Sequence, residues 1–230
     1  MRITFINVGY GDAILLQGDN GYTALLDGGS NLDEEFADDC FRIRAVDYLQ
    51  KLGIKHLDDV IISHIHEDHV CGLEEVLRHI PTDRLSVPYF LKSFSSAHPL
   101  TPGPQAPRSV VLYTEALNAY CRILNQRLQS GQAVRVLRAG ERLPLTEGLA
   151  ATILGPKPAS IQHYMRRIEQ VFESKSEEEV TKLLGELDAT SNHTSLLIKF
   201  ETAGLSLLAA ADNCPREWDD VPISLFKNVN

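Results

Sequence analysis

The sequence predicts a layered α/β protein with sheets packed face to face. Three observations carry this: a run of short apolar segments separated by Gly, Asp and Asn at the start, an unbroken β-branched run at Val60-Ile61-Ile62, and amphipathic helical stretches interleaved with further strands. At 230 residues the chain can bury a core without cross-links, and one domain over 1–230 is expected. Hydrophobic residues at 43% and charged residues at 23% exclude a disordered, collagenous or coiled-coil chain. No stretch approaches the roughly 20 apolar residues of a membrane span, and Met1 runs directly into an amphipathic segment, so a cytoplasmic protein is expected.

The elements follow in order. Ile3 to Val8, Ala13 to Leu16 and Tyr22 to Leu26 read as a β-meander, with Asp19-Asn20-Gly21 as a hairpin turn and Asp27-Gly28-Gly29 closing the third strand. Phe41, Ala45, Val46, Leu49 and Leu52 share a helical face, and Gly53 stands where a helix C-terminus needs a left-handed residue. Val60 to Ile62 reads as a strand covered on both faces. A helix marked by Leu73, Val76, Leu77 and Ile80 stops at Pro81. Lys92 to Pro107 is a Ser/Pro/Gly-rich loop, of a length expected to be either functional or disordered. A long helix spans Val110 to Leu128. Strands are expected at Val134–Leu137, Leu143–Leu145 and Ala151–Leu154, then a helical block at about 159–187, broken near Ser174 to Ser176. A last hairpin pairs Ser195–Phe200 with Leu205–Ala211 around Ala203-Gly204 and ends at Asp212.

Lys and Arg number 22 against 31 Asp and Glu, a net charge of −9. Asp27, Asp33, Glu34, Glu35, Asp38 and Asp39 form a stretch without a base, expected near the site mouth. Glu169 to Asp188 is a second acidic stretch. This balance disfavours a nucleic-acid partner, gives no reason to expect a membrane partner, and favours a small-molecule substrate. The four cysteines, Cys40, Cys71, Cys121 and Cys214, are widely spaced and read as free thiols.

The chemistry concentrates in Ser63-His64-Ile65-His66-Glu67-Asp68-His69, between a buried strand and a helix. Imidazole and carboxylate are the usual N and O donors for zinc and similar divalent ions. In an extended segment His64 and His66 point the same way and can clasp one ion, whereas Asp68 and His69 lie where the chain turns and can face a second. Glu67 points away from them and is expected to be solvated. His56, His79, His98 and His163 read as surface residues, although His98 lies in a loop that could cover the site. Arg166-Arg167 reads as part of a charged helix face.

With Asn7-Val8-Gly9-Tyr10-Gly11-Asp12-Ala13, Leu25-Leu26-Asp27-Gly28-Gly29, the His64 to Leu73 loop, Ser195 to Ile198 and Leu207 to Asp212 in this order, the chain resembles the metallo-β-lactamase-fold hydrolases. Within them it is similar to the β-lactamase-like domain of the competence protein ComEC/Rec2. Tyr10, Cys71 and the Ala-Ala-Ala before Asp212 depart from that pattern, and the helical block 159–187 lies outside it. The resemblance implies an αββα sandwich with metals at one edge. It places His64, His66 and His193 on one ion, Asp68 and His69 on another, Asp212 between them, and Asp27 beneath the loop, orienting a ligand by hydrogen bonding. The 18 residues after Asp212 contain no histidine to match the family's final ligand, so either a shortened chain or a weakened second site is expected.

The function implied is a metal-dependent hydrolase using a metal-bound hydroxide on a phosphodiester or related ester. One or two zinc ions are expected, with manganese or iron as alternatives, and Asp68 orients the water. The competing reading is a catalytically impaired metal-binding or interaction module.

Overall fold

The computed structural model describes residues 1–37, 41–96, 98–219 and 221–226. Asp38, Asp39 and Cys40 of the expected acidic stretch and cysteine set lie outside them. Six strands form the first sheet in chain order: β1 (Arg2–Phe5), β2 (Ile14–Gln17), β3 (Thr23–Leu26), β4 (Leu57–Ile61), β5 (Thr82–Val87) and β6 (Val134–Val136). The first three are an antiparallel meander, and β3 to β6 run parallel, with Leu25 opposite Val60 and Val60 opposite Leu85. Parallel neighbours need crossovers. These are α1 (Ala45–Lys51), then α2 (Glu67–Val70) with α3 (Leu73–His79), then α4 (Arg108–Gln129). A second, antiparallel sheet has the order β10 (Ser206–Ala209), β9 (Leu197–Glu201), β8 (Leu149–Gly155), β7 (Arg142–Thr146).

The alternation of each strand divides the apolar residues into two cores. Leu16, Ala24, Leu26 and Ile61 from one sheet meet Leu145, Ala151, Ile153, Ile198 and Phe200 from the other. The opposite face of the six-stranded sheet, through Leu15, Leu25, Val60 and Leu85, receives the helices, including α5 (Pro158–Glu173) and α6 (Glu177–Asp188). Chain reversal between α5 and α6 falls at Ser174–Ser176, where the Ser176 side chain caps α6 by accepting from Glu179 N. The mixed α/β class therefore holds, with a mixed sheet, an antiparallel sheet facing it and helices that bury residues in the first core.

One strand had no counterpart among the expected elements, and one expected core residue is placed differently. β5 has no apolar run, because its buried positions include Thr82 and Ser86; Ser86 Oγ and the Arg84 guanidinium bond to the buried Asp59 of β4. A strand whose inward groups are satisfied by hydrogen bonds carries no hydrophobic signature. Phe41 is 95% exposed and lies ahead of α1 rather than on its buried face. The Lys92 to Pro107 loop is pinned to the helices, through Asn118 to both backbone groups of Leu100 and through Thr181 Oγ1 to Gly103 N. Cys71, Cys121 and Cys214 are free thiols. Among the described residues no helix is long and apolar enough to cross a membrane.

The division of the core predicts a contrast between two phenylalanines. Phe200→Ala, at a fully buried inter-sheet position, is expected to cost about 3–5 kcal/mol in urea denaturation, while Phe41→Ala stays within about 0.5 kcal/mol of the parent. Equal losses would show that Phe41 is packed.

Candidate metal centre

The edge where β3 and β4 end carries the histidines. β4 leads through the buried Ile62 into Ser63 and His64, the chain bends at His64 and Ile65, and α2 begins at Glu67, so the segment between is a turn, buried up to Ile65, rather than an extended run. Asp27 follows β3 with φ of 56°, a left-handed conformation that costs energy for a non-glycine residue. This turn puts its carboxylate under the loop. Its Oδ1 accepts from Ser63 N at 2.8 Å and its Oδ2 lies 2.9 Å from His69 Nδ1, with both side chains fully buried.

Held in this way, His69 turns Nε2 toward the open edge. That nitrogen is buried, makes no hydrogen bond, and lies 3.7 Å from Asp212 Oδ1. The His64 ring packs against it, with centroids 4.3 Å apart, and donor atoms of His64, His69 and Asp212 all lie within 4.8 Å of one another. His66 joins from the other side. Its Nδ1 is 3.1 Å from His64 Nε2, close to the roughly 3.3 Å that separates two nitrogen ligands of one tetrahedral zinc. His66 Nε2 faces Asp188 at the end of α6, 3.3 Å from its carbonyl and 3.5 Å from its carboxylate.

Not every expected residue joins this group. Asp68 is half-buried and lines an adjoining cavity rather than entering the cluster of donors. His193 turns away: its Nδ1 faces Glu217 Oε1 at 3.6 Å, beside Cys214. The short 3-10 turn Ser191–Thr194 instead puts the buried side-chain oxygen of Asn192 against His64. Glu67, expected to be solvated, is buried and accepts from Ser30 Oγ and Asn31 N. His56, His79, His98 and His163 are exposed.

Asp12 had no assigned role in the sequence, yet its carboxylate groups with Asp27 and His69. The preceding Gly11, at φ of +74°, is required there, since a Cβ would stand 1.8 Å from the Asp68 carbonyl. The only prior signal for Asp12 was its place in the Gly-Tyr-Gly-Asp loop. Asn192 was adjacent to the histidine singled out, and Asp188 had no signal beyond closing a helical stretch.

The electrostatics are those of a cation site. Burial lowers the pKa of His64 well below the ordinary histidine range, and the neighbouring His69 and His66 lower it further. Burial opposes charge on His69 too, but the hydrogen bond and charge of Asp27, reinforced by Asp68 and Asp212, outweigh it and raise its pKa to about 9. Burial also raises the pKa of Asp12, partly offset by His69. Several carboxylates thus converge on one imidazole. With the buried His69 Nε2 lacking a hydrogen-bond partner beside His64 and Asp212, the residues fit a divalent ion held by N and O donors.

The sequence model of the metallo-beta-lactamase superfamily matches residues 6–215. The chain belongs to that superfamily. Among solved structures it is similar to a protein from Parabacteroides distasonis ATCC 8503 (14% identity, TM-score 0.42, covering 93% of this chain and 62% of that one). It is also similar to the Rm3 metallo-beta-lactamase (15%, 0.44, 89% and 58%) and to Zn(2+)-bound PqqB from Methylobacterium extorquens (12%, 0.36, 86% and 51%). The chain thus spans between half and two thirds of the length of these proteins. A comparison with curated proteins returned no match. The superfamily consists largely of hydrolytic metalloenzymes that bind metal ions.

Beside the metal centre lies a cavity of about 360 Å³, whose walls include Tyr10, Glu35, His66, Asp68, Arg108 and Asp188. The acidic stretch does border it, but arginines from outside the stretch meet its acids: Arg44 pairs with Asp33, Arg108 with Glu34 and Arg42 with Glu35.

The hydrogen bond from Asp27 to His69 sets an expectation for metal affinity. Asp27→Asn should weaken zinc binding about 10–100-fold in a competition titration with a chromophoric chelator, because the ring loses the partner that fixes its orientation. Unchanged affinity would remove His69 from the set of ligands.

Proposed function

We propose that this chain is a metal-dependent hydrolase of a phosphodiester or a related small anionic ester, within the ComEC/Rec2-like branch. The observation that carries the reading is the buried His69 Nε2, unpartnered and facing Asp212 beside His64, with an open cavity alongside. His64, His66, His69 and Asp212 would hold the metal, zinc first by donor type, and Asn192 offers a further oxygen. A divalent ion bound there supplies Lewis acidity and brings the pKa of a coordinated water to about 7.

The chain's own residues do the rest. Asp27 keeps His69 in the tautomer that leaves Nε2 free. Asp68, in the cavity wall, orients water toward the substrate and receives its proton. Arg108, in the same wall, supplies a cation for an anionic ester, although it shares its charge with Glu34. The arginines lessen the local repulsion expected from Asp33 to Glu35, but a net charge of −9 still ranks a small substrate above a long polyanion. The competing reading, a metal-binding module without turnover, draws on the positions of His193 and Asp68 outside the donor cluster.

The test is hydrolysis by zinc- and manganese-loaded protein of bis(p-nitrophenyl) phosphate beside carboxylester, thioester, lactone and β-lactam substrates. Phosphodiester turnover is expected, reduced at least about 100-fold in His69→Ala and abolished reversibly by a chelator. Metal uptake with no turnover of any substrate favours the binding module, and activity that survives His69→Ala removes this site from the reaction. Tight single-stranded DNA binding at physiological salt would reverse the ranking of substrates.

A further inference from the structure

The residues displaced from the main centre form a group of their own. His193, Cys214 and Glu217 each offer one donor atom, and these atoms lie within 4.8 Å of one another. The His193 Nδ1 to Glu217 Oε1 distance, 3.6 Å, is longer than a hydrogen bond. It is close to the roughly 3.3–3.5 Å that separates a nitrogen and an oxygen ligand of one tetrahedral zinc.

The frame that presents them is held by hydrogen bonds. Glu217 is only 6% exposed and its carboxylate is aimed by Ser160 Oγ, at 2.9 and 3.0 Å, and by Lys157 N at 3.2 Å. Cys214 caps the turn that Glu217 closes, with Glu217 N bonded to Cys214 O at 2.9 Å. Asn213 fastens this turn on both sides, donating to Ser195 O and accepting from Trp218 Nε1. A cavity of about 300 Å³, lined by Ser160, His163, Tyr164 and His193, adjoins the group and gives solvent a route to it.

We propose that His193, Cys214 and Glu217 form a second divalent-metal centre, distinct from the one at His64 and His69. Three donors of N, S and O type suit zinc, with water completing the tetrahedron, and the thiolate selects against magnesium and calcium. Binding replaces the thiol proton, which leaves to solvent as the Cys214 Sγ–metal bond forms. The ion ties the turn that carries Asn192 to the segment that carries Asp212, because His193 follows the first and Cys214 lies two residues after the second. It therefore acts as a clamp on two residues of the main centre without touching substrate.

The test uses the whole chain, stripped by a chelator and titrated with cobalt(II). A near-ultraviolet thiolate-to-cobalt charge-transfer band is expected. It should be lost in Cys214→Ser, weakened in His193→Ala, and retained in His64→Ala/His69→Ala, where the main centre is gone. Zinc should slow alkylation of Cys214 about tenfold or more in the parent and in that double variant. The main centre contributes no sulfur, so these signals stand or fall independently of the hydrolase reading. A band that persists in Cys214→Ser, no band in the parent, or alkylation of Cys214 unaffected by zinc would overturn the proposal.

Discussion

One buried carboxylate organises the functional edge of this protein. Asp27 joins β3 to the loop after β4 through Ser63 N and to the start of the helical layer through His69 Nδ1. Around it the backbone closes a set of crossing hydrogen bonds: Asp27 N to Ile61 O, Gly28 N to His69 O, Gly29 N to Asp12 O and Gly72 N to Gly29 O. A carboxylate with no solvent exposure is costly unless fully paired. Here its partners are the backbone and the imidazole that the site needs. The strained φ of Asp27 and the close approaches at Gly11 and Gly72 follow from bringing three chain segments to one point.

Much of this was legible in the residues. The spacing of His64, His66, Asp68 and His69 between a buried strand and a helix pointed to a cluster of donors, and the structure gathers the three histidines at one edge while Asp68 lines the adjoining cavity; Asp-Gly-Gly after β3 signalled a tight turn. What escaped has physical causes. β5 hides because its inward serine and threonine are satisfied by hydrogen bonds rather than by apolar contact. The exchange of His193 for Asn192 at His64 is a one-residue difference, and in a 3-10 turn successive side chains point about 120° apart, so a shift of one residue changes the partner completely. Glu67 was read as solvated from the alternation of an extended strand. It is the first residue of α2, so that alternation no longer applies, and the bonds to Ser30 and Asn31 bury it.

The helical block at 159–187, outside the quoted motifs, is physically joined to the metal loop. Tyr113 of α4 and Tyr164 of α5 share a 2.5 Å hydrogen bond in full burial. Tyr164 donates to Ser191 Oγ at 3.0 Å, and Ser191 donates to Ile65 O at 2.7 Å, between His64 and His66. Burial raises the pKa of both tyrosines well above the usual value, which keeps them neutral at neutral pH. Ser191 begins the turn that carries both Asn192 and His193.

Helices α4 and α6 decide what surrounds His66. The edge of its ring rests on Tyr113, with centroids 6.1 Å apart, and its Nε2 meets the carbonyl and carboxylate of Asp188 where α6 ends. His66 hydrogen-bonds Asp188 and lowers its pKa, so a charged carboxylate stands behind the ring at neutral pH. This repeats on the outer histidine the arrangement that Asp27 provides for the inner one: a carboxylate fixes one nitrogen and leaves the other toward the shared space. One orienting acid comes from the first sheet and the other from the helical block. The site therefore depends on the packing of those two layers, and the helices serve as the second support of the ligand loop rather than as an ornament on a finished fold.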